Sequence, residues 1–176
     1  HVIDQVVDCV KEAAQASRVA SSAFGAVPVK GLLRDSRLPE ALDDVLRVLV
    51  FSDGVEASGS PSARVTGLVV QWSCHPESLG SENTLVTADF PYATIEALER
   101  RYGCPGVLFV GAIGGLMSNP SEITFRGRKI HDETFEFAEA YGALVAEQVE
   151  RAVQSATPIP LAPFDIAARE LNVPVS

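Results

Sequence analysis

Apolar residues recur at helical spacing in three parts of the 176-residue chain. Between Val2 and Arg18 they alternate with charged residues, which predicts a helix with one face on a core. A second helix is predicted from Asp89, its expected N-cap, to Gly103. A third is predicted to begin at a cap on Asp132. Its apolar stripe comprises Phe135, Ala138, Tyr141, Leu144, Val145, Val149 and Val153.

Short runs of β-branched and aromatic residues predict strands between these helices. The second and third of these strands are close enough in the chain to pair as a hairpin. A turn at Gly25–Lys30 follows the first strand, and a linker at Pro158–Pro163 precedes the last. The predicted strands are Val19–Phe24, Val45–Phe51, Ala63–Trp72, Gly106–Val110 and Phe164–Val173.

The segment from Ala63 to Val110 reads as a strand, a helix and a second strand, which is a βαβ unit. A right-handed crossover places the carboxyl ends of its two strands at the same edge of a parallel sheet. We therefore predict one α/β domain over residues 1–176, with a mixed, largely parallel sheet flanked by helices.

Two candidate features follow the strands of this unit. His75 lies just beyond Trp72, and ligands in open α/β sheets bind beyond such strand ends, although a lone histidine is also a common structural residue. Gly114 and Gly115 lie in a loop after Val110, where glycines allow positive φ angles and a backbone anion nest. The loop has neither a phosphate-loop lysine nor a G-x-G-x-x-G spacing, which excludes both nucleotide motifs.

Two arginines, Arg34 and Arg37, lie in a polar segment that ends at Pro39. They are either oriented toward an anion or are ordinary solvated surface residues. His131 is predicted to belong to the start of the third helix and not to a site.

Composition narrows the classes of function. The net charge is −9, and the 14 basic residues are scattered, so a nucleic-acid partner is excluded. No apolar run approaches the roughly 20 residues of a spanning helix, and no signal peptide precedes His1. The chain starts without an initiator Met and stops at Ser176 just after a predicted strand, so it is interpreted as a fragment of a longer protein. The three cysteines have no C-x-x-C spacing and are interpreted as small hydrophobic residues.

Several motifs resemble the neutral/alkaline, non-lysosomal ceramidase family, and the resemblance covers most of the chain. The most specific part resembles the family's His-Pro-Thr-Ser stretch and its Ser-x-Asp-Tyr/Asn sequence. A weaker part resembles its Asn-Arg-Ser-Pro segment. In this chain the corresponding sequences are Cys74-His75-Pro76-Glu77-Ser78-Leu79-Gly80 with Asn83, then Thr87-Ala88-Asp89-Phe90-Pro91, and Ser36-Arg37-Leu38-Pro39.

The resemblance implies a zinc-dependent hydrolase of ceramide or another N-acyl amide, in a secreted or periplasmic location. It implies that His75 is a zinc ligand and that Arg37 faces the substrate or the developing oxyanion. Neutral imidazole is a good zinc ligand, and catalytic zinc polarises a carbonyl. The family's other zinc ligands, one His upstream and a Glu and a Tyr downstream, have no counterpart here, so the remaining parts of a parent chain are expected to complete the site.

The sequence departs from the family at the nucleophile, which lies in Gly-Asp-Val-Ser-Pro-Asn. An ungapped alignment from Gly114 places Gly115 at the family's Asp and Met117 at its Ser, with Ser118 one residue late. Ser118 is the candidate nucleophile, and Gly114 and Gly115 form the candidate oxyanion loop. The alternative is a non-catalytic homologue that serves as a binding or structural domain.

Overall fold

The computed structural model describes residues 1–53, 64–114, 117–163 and 165–172. The described helices are α1 (Val2–Gln15), α2 (Asp89–Tyr102) and α3 (Phe135–Gln154). The described strands are β1 (Ser21–Pro28), β2 (Arg34–Asp35), β3 (Val45–Ser52), β4 (Val65–Trp72), β5 (Gly106–Val110), β6 (Met117–Ser118), β7 (Glu122–Phe125), β8 (Arg128–His131) and β9 (Thr157–Pro158).

Five strands form the main sheet, in the order β5-β4-β3-β1-β9. The α/β class and the mixed sheet are confirmed, but a largely parallel sheet is not. Within the described strands of this sheet, β4 and β5 are the parallel pair, and the other three pairs are antiparallel. The connections explain why β4 and β5 are the parallel pair. Parallel strands need a crossover connection, and α2 supplies one between these two strands.

Helices α2 and α3 pack on one face of this sheet and on each other. The strand residues that face them alternate along the chain and are almost fully buried, as for Leu46 and Val48 in β3 and Val70 and Trp72 in β4. The two helices approach closely at Gly142, where a Cβ atom would overlap backbone atoms of α2. This layer holds the core and fixes the ends of β4 and β5.

The predicted N-terminal helix and strand both form, but the contacts of the helix and the end of the strand differ from the prediction. Helix α1 forms, but all of its residues are described and none is buried, so the expected contact of one face with the core is absent. Strand β1 continues through Gly25, where the predicted turn would begin, to Pro28. A Cβ atom at Gly25 would overlap Ala152 of α3, so the glycine allows the helix to pack against the strand.

The predictions for the second half need larger corrections. Helix α3 is capped by Thr134, whose Oγ1 accepts a hydrogen bond from Phe137 N at 3.1 Å, and not by Asp132. His131 lies in β8, because the preceding residues form a hairpin with β7. Of the predicted last strand, Phe164 and Val173 lie outside the described residues, and residues 165–172 form no strand. The chain instead adds β9 to β1, within the segment expected to be a linker.

Candidate functional site

The βαβ unit brings two loops to the same edge of the sheet. Trp72 and Val110 are register partners at the ends of β4 and β5. Beyond them, Gly111 N donates a hydrogen bond to Trp72 O at 3.1 Å. His75 N donates to Met117 O at 3.0 Å. The loop of residues 73–88, called the His75 loop, therefore contacts residues 111–114 and 117–118, called the glycine-rich loop.

The His75 imidazole has one nitrogen without a partner. The residue is half-buried, and its Nε2 atom is shielded from solvent and makes no hydrogen bond within the part of the chain that is described. Buried polar atoms are almost always hydrogen-bonded, and exceptions frequently mark a missing ligand or a functional group. This nitrogen is therefore the strongest indication of a site in the His75 loop.

The His75 loop is held by the buried carboxylate of Asp89. Ser78 Oγ donates to Asp89 Oδ1 at 2.5 Å, and Leu79 N donates to Asp89 Oδ2 at 3.2 Å. The Ser78 carbonyl in turn accepts from Glu133 N at 2.8 Å. The expected N-cap role of Asp89 is wrong in position, because Ala88 occupies the cap and Asp89 is the first helical residue, at φ 55°. A left-handed φ at a residue other than glycine is retained when contacts such as these offset it.

The Tyr141 hydroxyl connects α3 to the same edge. It donates to Leu32 O at 2.6 Å and accepts from Trp72 Nε1 at 3.1 Å. Burial raises the pKa of Tyr141 well above its usual value. Burial also raises the pKa of Cys74, 3.4 Å from that hydroxyl, to about 12. Cys74 is therefore an inert core thiol, as expected of it, whereas Cys9 is exposed on α1 and contradicts that expectation.

The glycine-rich loop is anchored to a polar network beside β4. Ser73 Oγ accepts from Ala112 N at 3.2 Å and donates to Asp43 Oδ2 at 2.9 Å. Asp43 also pairs with Arg47 at 2.9 Å, and hydrogen bonding from Arg47 lowers the pKa of Asp43. At Gly111 a Cβ atom would overlap the side chains of Ser73 and its neighbour in the network, Gln71. This loop is thus fixed at its start by close packing and backbone hydrogen bonds.

Arg37 and Gly114 line one cavity of about 310 Å³, here called the Arg37 cavity. The loop that carries Arg37 is shaped by Asp35, whose carboxylate accepts from Arg37 N at 3.0 Å and Ala41 N at 3.1 Å. These backbone donors, led by Arg37 N, lower the pKa of Asp35. Met117 forms part of the same wall.

Ser118 lines a second cavity of about 370 Å³, here called the Ser118 cavity. Ser118 is 8% exposed and pairs with Arg34 across the short β2–β6 ladder. Asn119, 3% exposed, also lines this cavity, and its Oδ1 atom lacks a hydrogen-bond partner among the described residues. The remaining lining residues are Arg34, Glu77, Gly80, Ser81, Asp132 and Glu133.

The two cavities lie on either side of β6, because successive residues of a strand point in opposite directions. Met117 faces the Arg37 cavity and Ser118 the Ser118 cavity. The structure therefore brings Arg37 together with Gly114, and His75 next to Met117, but places Ser118 in a separate cavity from Arg37. Gly115, the other residue of the candidate oxyanion loop, lies outside the described residues.

The residues fit one zinc ligand and not a complete zinc site. The unpartnered Nε2 of His75 has the chemistry of a ligand. Across residues 1–53, 64–114, 117–163 and 165–172, however, no group of three or more His, Cys, Asp or Glu side chains is arranged to hold a metal ion. Zinc sites need three or four protein ligands, so these residues alone do not form one.

Sequence reasoning missed the lining of the Ser118 cavity. Asn119 and Glu77 are both in motifs that were recognised, but nothing in their spacing indicates that β6 and the His75 loop meet. The pairing of β2 with β6 would have located this cavity, but a two-residue pairing is too short to give a hydrophobic pattern in the sequence.

No helix among the described residues is long and apolar enough to cross a membrane.

Comparisons with known proteins bear on the fold. No protein-family model matches the sequence, and no curated protein sequence matches it. Among solved structures, neutral ceramidase from Pseudomonas aeruginosa is similar over 88% of this chain and 26% of its own, with 17% identity and a TM-score of 0.67. A ceramidase complexed with C2 is similar over 82% of this chain and 24% of its own, with 18% identity and a TM-score of 0.58.

The chain thus spans about a quarter of the length of the ceramidase structures that it matches. At this level of identity the likeness establishes the fold and leaves substrate and chemistry open. The resemblance inferred from the His75 and Arg37 motifs is confirmed for the fold: this chain has the α/β fold of a part of neutral ceramidase.

Proposed function

We propose that this chain is part of an amide hydrolase that acts on ceramide or a related N-acyl amide. One observation carries the proposal: His75 Nε2 is shielded from solvent and has no partner among the described residues, and the His75 backbone holds Met117 at the sheet edge, in the fold of neutral ceramidase. A nitrogen in this state is suited to bind a metal ion or a substrate group.

Zinc is the proposed cofactor, with His75 as the ligand that this chain supplies. When bound, zinc would polarise the amide carbonyl and stabilise negative charge on its oxygen. The remaining ligands would come from parts of the whole protein beyond this chain, because His75 alone does not reach the three or four that zinc requires. Affinity for zinc is therefore expected only in the longer protein.

Ser118 is the proposed nucleophile. Aligned from Gly115, the sequence Gly-Leu-Met-Ser-Asn-Pro matches glycine and serine at the first and fourth positions of Gly-Asp-Val-Ser-Pro-Asn, which removes the one-residue offset of Ser118. Attack of its Oγ on the carbonyl carbon forms a C–O bond, and the C–N bond then breaks. The hydroxyl proton leaves through a base and reaches the departing amine, and Glu77 in the same cavity has a carboxylate for this role. Water then hydrolyses the acyl ester.

Arg37 is the proposed donor to the carbonyl oxygen as negative charge develops on it. Because the nucleophile and the donor act on the same carbonyl group, this role requires the exposed Arg37 side chain to turn from the Arg37 cavity past Met117 toward Ser118. Donors of this kind contribute on the order of 10²-fold in rate.

The test uses the longer protein that contains this chain, and its His75→Ala and Ser118→Ala variants. We expect His75→Ala to lose bound zinc and activity together, and Ser118→Ala to keep zinc while losing at least 10²-fold in kcat on ceramide. Equal zinc content in the original protein and His75→Ala would contradict the metal role. Full activity of Ser118→Ala would contradict the nucleophile role.

A second candidate is a non-catalytic homologue that binds an acyl lipid. It is favoured by the departure from the nucleophile motif, in which no residue of the chain supplies the family's Asp. In this case neither the original protein nor any variant hydrolyses ceramide or simple N-acyl amines, yet lipid binding remains measurable by calorimetry. A secreted or periplasmic location stays a prediction.

A further inference from the structure

Ser73 is a fully buried residue that the proposed reaction does not use, and all of its hydrogen-bonding capacity is taken up. Its Oγ donates to Asp43 Oδ2 at 2.9 Å and accepts from Gln71 Nε2 at 3.0 Å and from Ala112 N at 3.2 Å. A serine hydroxyl has one donor and two acceptor sites, so these three bonds occupy them all. Three parts of the chain therefore meet at this atom: the segment before β3, strand β4 and the glycine-rich loop.

The direction of the Ser73 hydroxyl is fixed by its neighbours. Arg47 donates to the two carboxylate oxygens of Asp43 at 2.9 and 3.0 Å, and to Gln71 Oε1 at 2.7 Å. An ionised carboxylate cannot donate, so the Ser73 proton points to it and both lone pairs face Gln71 and Ala112. A closed ring of four side chains thus holds an acceptor toward the backbone of the glycine-rich loop. Hydrogen bonds to ionised groups, as in this ring, are stronger than neutral ones.

The backbone extends this anchor to the candidate site. Ala112 precedes Ile113, whose carbonyl oxygen accepts from Met117 N at 3.1 Å. The Met117 carbonyl oxygen in turn accepts from His75 N at 3.0 Å, and Ser118 is the next residue. The fixed amide of Ala112 therefore limits where the proposed nucleophile can lie relative to the proposed zinc ligand.

We propose that Ser73 is a positioning residue for the hydrolysis: its hydroxyl sets the placement of the glycine-rich loop, and thereby that of Ser118 relative to His75. This inference rests on the proposed function, because it assigns the loop a task in catalysis. Misplacing a reacting group by about 1 Å can cost on the order of 10²-fold in rate, so a hydroxyl that holds the loop raises kcat without being a catalytic residue. Gly111 serves the same contact, since a Cβ atom there would overlap Gln71 and Ser73.

The first experiment measures amide hydrogen exchange in the longer protein that contains this chain, with Ser73→Ala and the control Thr94→Val. Thr94 is equally buried, and its hydroxyl also makes hydrogen bonds, but these lie within α2 and between α2 and α3. We expect exchange at Ala112 and Met117 to become about 10-fold faster in Ser73→Ala and to stay unchanged in Thr94→Val. Equal acceleration in both variants would overturn the inference, because it would reflect a general loss of stability. Unchanged exchange in Ser73→Ala would also overturn it.

Kinetics on ceramide separate a positioning role from a merely structural one. In Ser73→Ala we expect kcat to fall about 10-fold while KM and bound zinc change little, because the loop is displaced and the metal ligands are not. Thr94→Val should keep its kcat. A full kcat in Ser73→Ala, or a loss of bound zinc together with the activity, would overturn the inference.

Asp43→Asn is the second variant, for the case in which Ser73→Ala does not fold. It keeps the shape of the side chain and replaces one oxygen by a donor, which opposes a donor of Arg47 in either orientation. We expect faster exchange at Ala112 and Met117 than in the original protein, and unchanged exchange would overturn the inference. Exchange needs no turnover. If the longer protein hydrolyses neither ceramide nor simple N-acyl amines, the proposed function fails, and exchange alone decides whether Ser73 places the loop.

Discussion

The His75 loop and the glycine-rich loop leave adjacent parallel strands at the same edge of the sheet, yet they are held in different ways. The His75 loop is fixed from its centre by the buried carboxylate of Asp89. The glycine-rich loop is fixed at its start, by Gly111 N and Ala112 N, and again by the hydrogen bond from Met117 N to Ile113 O at 3.1 Å.

The difference indicates which of the two loops tolerates substitutions. Removing a buried carboxylate leaves its donors unsatisfied, so the contacts of Asp89 constrain the sequence of the His75 loop. Beyond Gly111, the described residues of the glycine-rich loop are held mostly by backbone groups, so their side chains can change at small cost to stability. The match to the ceramidase motifs follows this division, because the His75 loop keeps them and the glycine-rich loop departs from them.

The largest expected effect is that of Asp89→Ala. The change leaves Ser78 Oγ and Leu79 N without their acceptor in a buried position, and we expect a loss of about 3 kcal/mol in the free energy of unfolding. Urea denaturation measures it. Glu82→Ala removes an exposed carboxylate from the same loop and should cost less than about 0.5 kcal/mol. Equal effects of the two changes would remove the contrast between the loops.

A smaller effect is expected in the glycine-rich loop. Gly111→Ala pushes the added methyl group into Gln71 and Ser73, at an expected cost of about 2 kcal/mol. Gly114→Ala is the control in the same loop, where no atom lies within 4 Å and φ is 57°. Strain at that φ angle should cost about 1 kcal/mol. Thermal unfolding of both variants would show whether close packing or the backbone angle matters more.

Asp43→Asn tests the network beneath the glycine-rich loop through its dependence on pH. Arg47 lowers the pKa of Asp43 below the unfolded value of about 3.9, so its stabilisation is complete above that value and lost as pH falls through the folded pKa. The pair is partly exposed, so we expect the variant to be about 1 kcal/mol less stable at pH 7, with a difference that shrinks as pH falls below about 3.9. A constant difference from pH 7 to pH 2 would contradict this.

Arg37→Ala should change stability least, by less than about 0.5 kcal/mol. The loop is shaped by backbone donors to Asp35, and the Arg37 backbone nitrogen remains after the substitution. In the longer protein the same change should lower kcat on ceramide by about 10²-fold if Arg37 serves the developing oxyanion. A large drop in melting temperature would instead make the Arg37 side chain structural.

The sequence predicted the elements with strong periodicity and failed where short pairings decide the structure. The β4–α2–β5 unit was predictable because β-branched runs flank a capped amphipathic pattern that ends at Gly103. The pairing of Arg34 with Ser118 was not, since two-residue strands have no period. The apolar side of α1 led to a predicted core contact, because periodicity shows that a face is apolar and does not show what covers it.

The candidate site was likewise predictable where topology decides the structure and not where a short strand does. The position of His75 at a strand end could be predicted from topology, and the structure agrees with that placement. The separation of Arg37 and Ser118 into two cavities depends on the alternation of Met117 and Ser118 in β6. No motif in the chain indicates this alternation, so sequence reasoning did not predict the separation.

The parallel pair has a consequence for the order in which the chain folds. Strands β3 and β4 pair directly, whereas β5 can join β4 only after α2 has crossed the sheet. Closing that longer connection costs entropy before its contacts form, so non-local pairings are slow steps. We expect the edge that carries His75 and Gly111 to assemble after the antiparallel strands and to be among the first parts to open. Amide hydrogen exchange would then be faster in β5 than in β3.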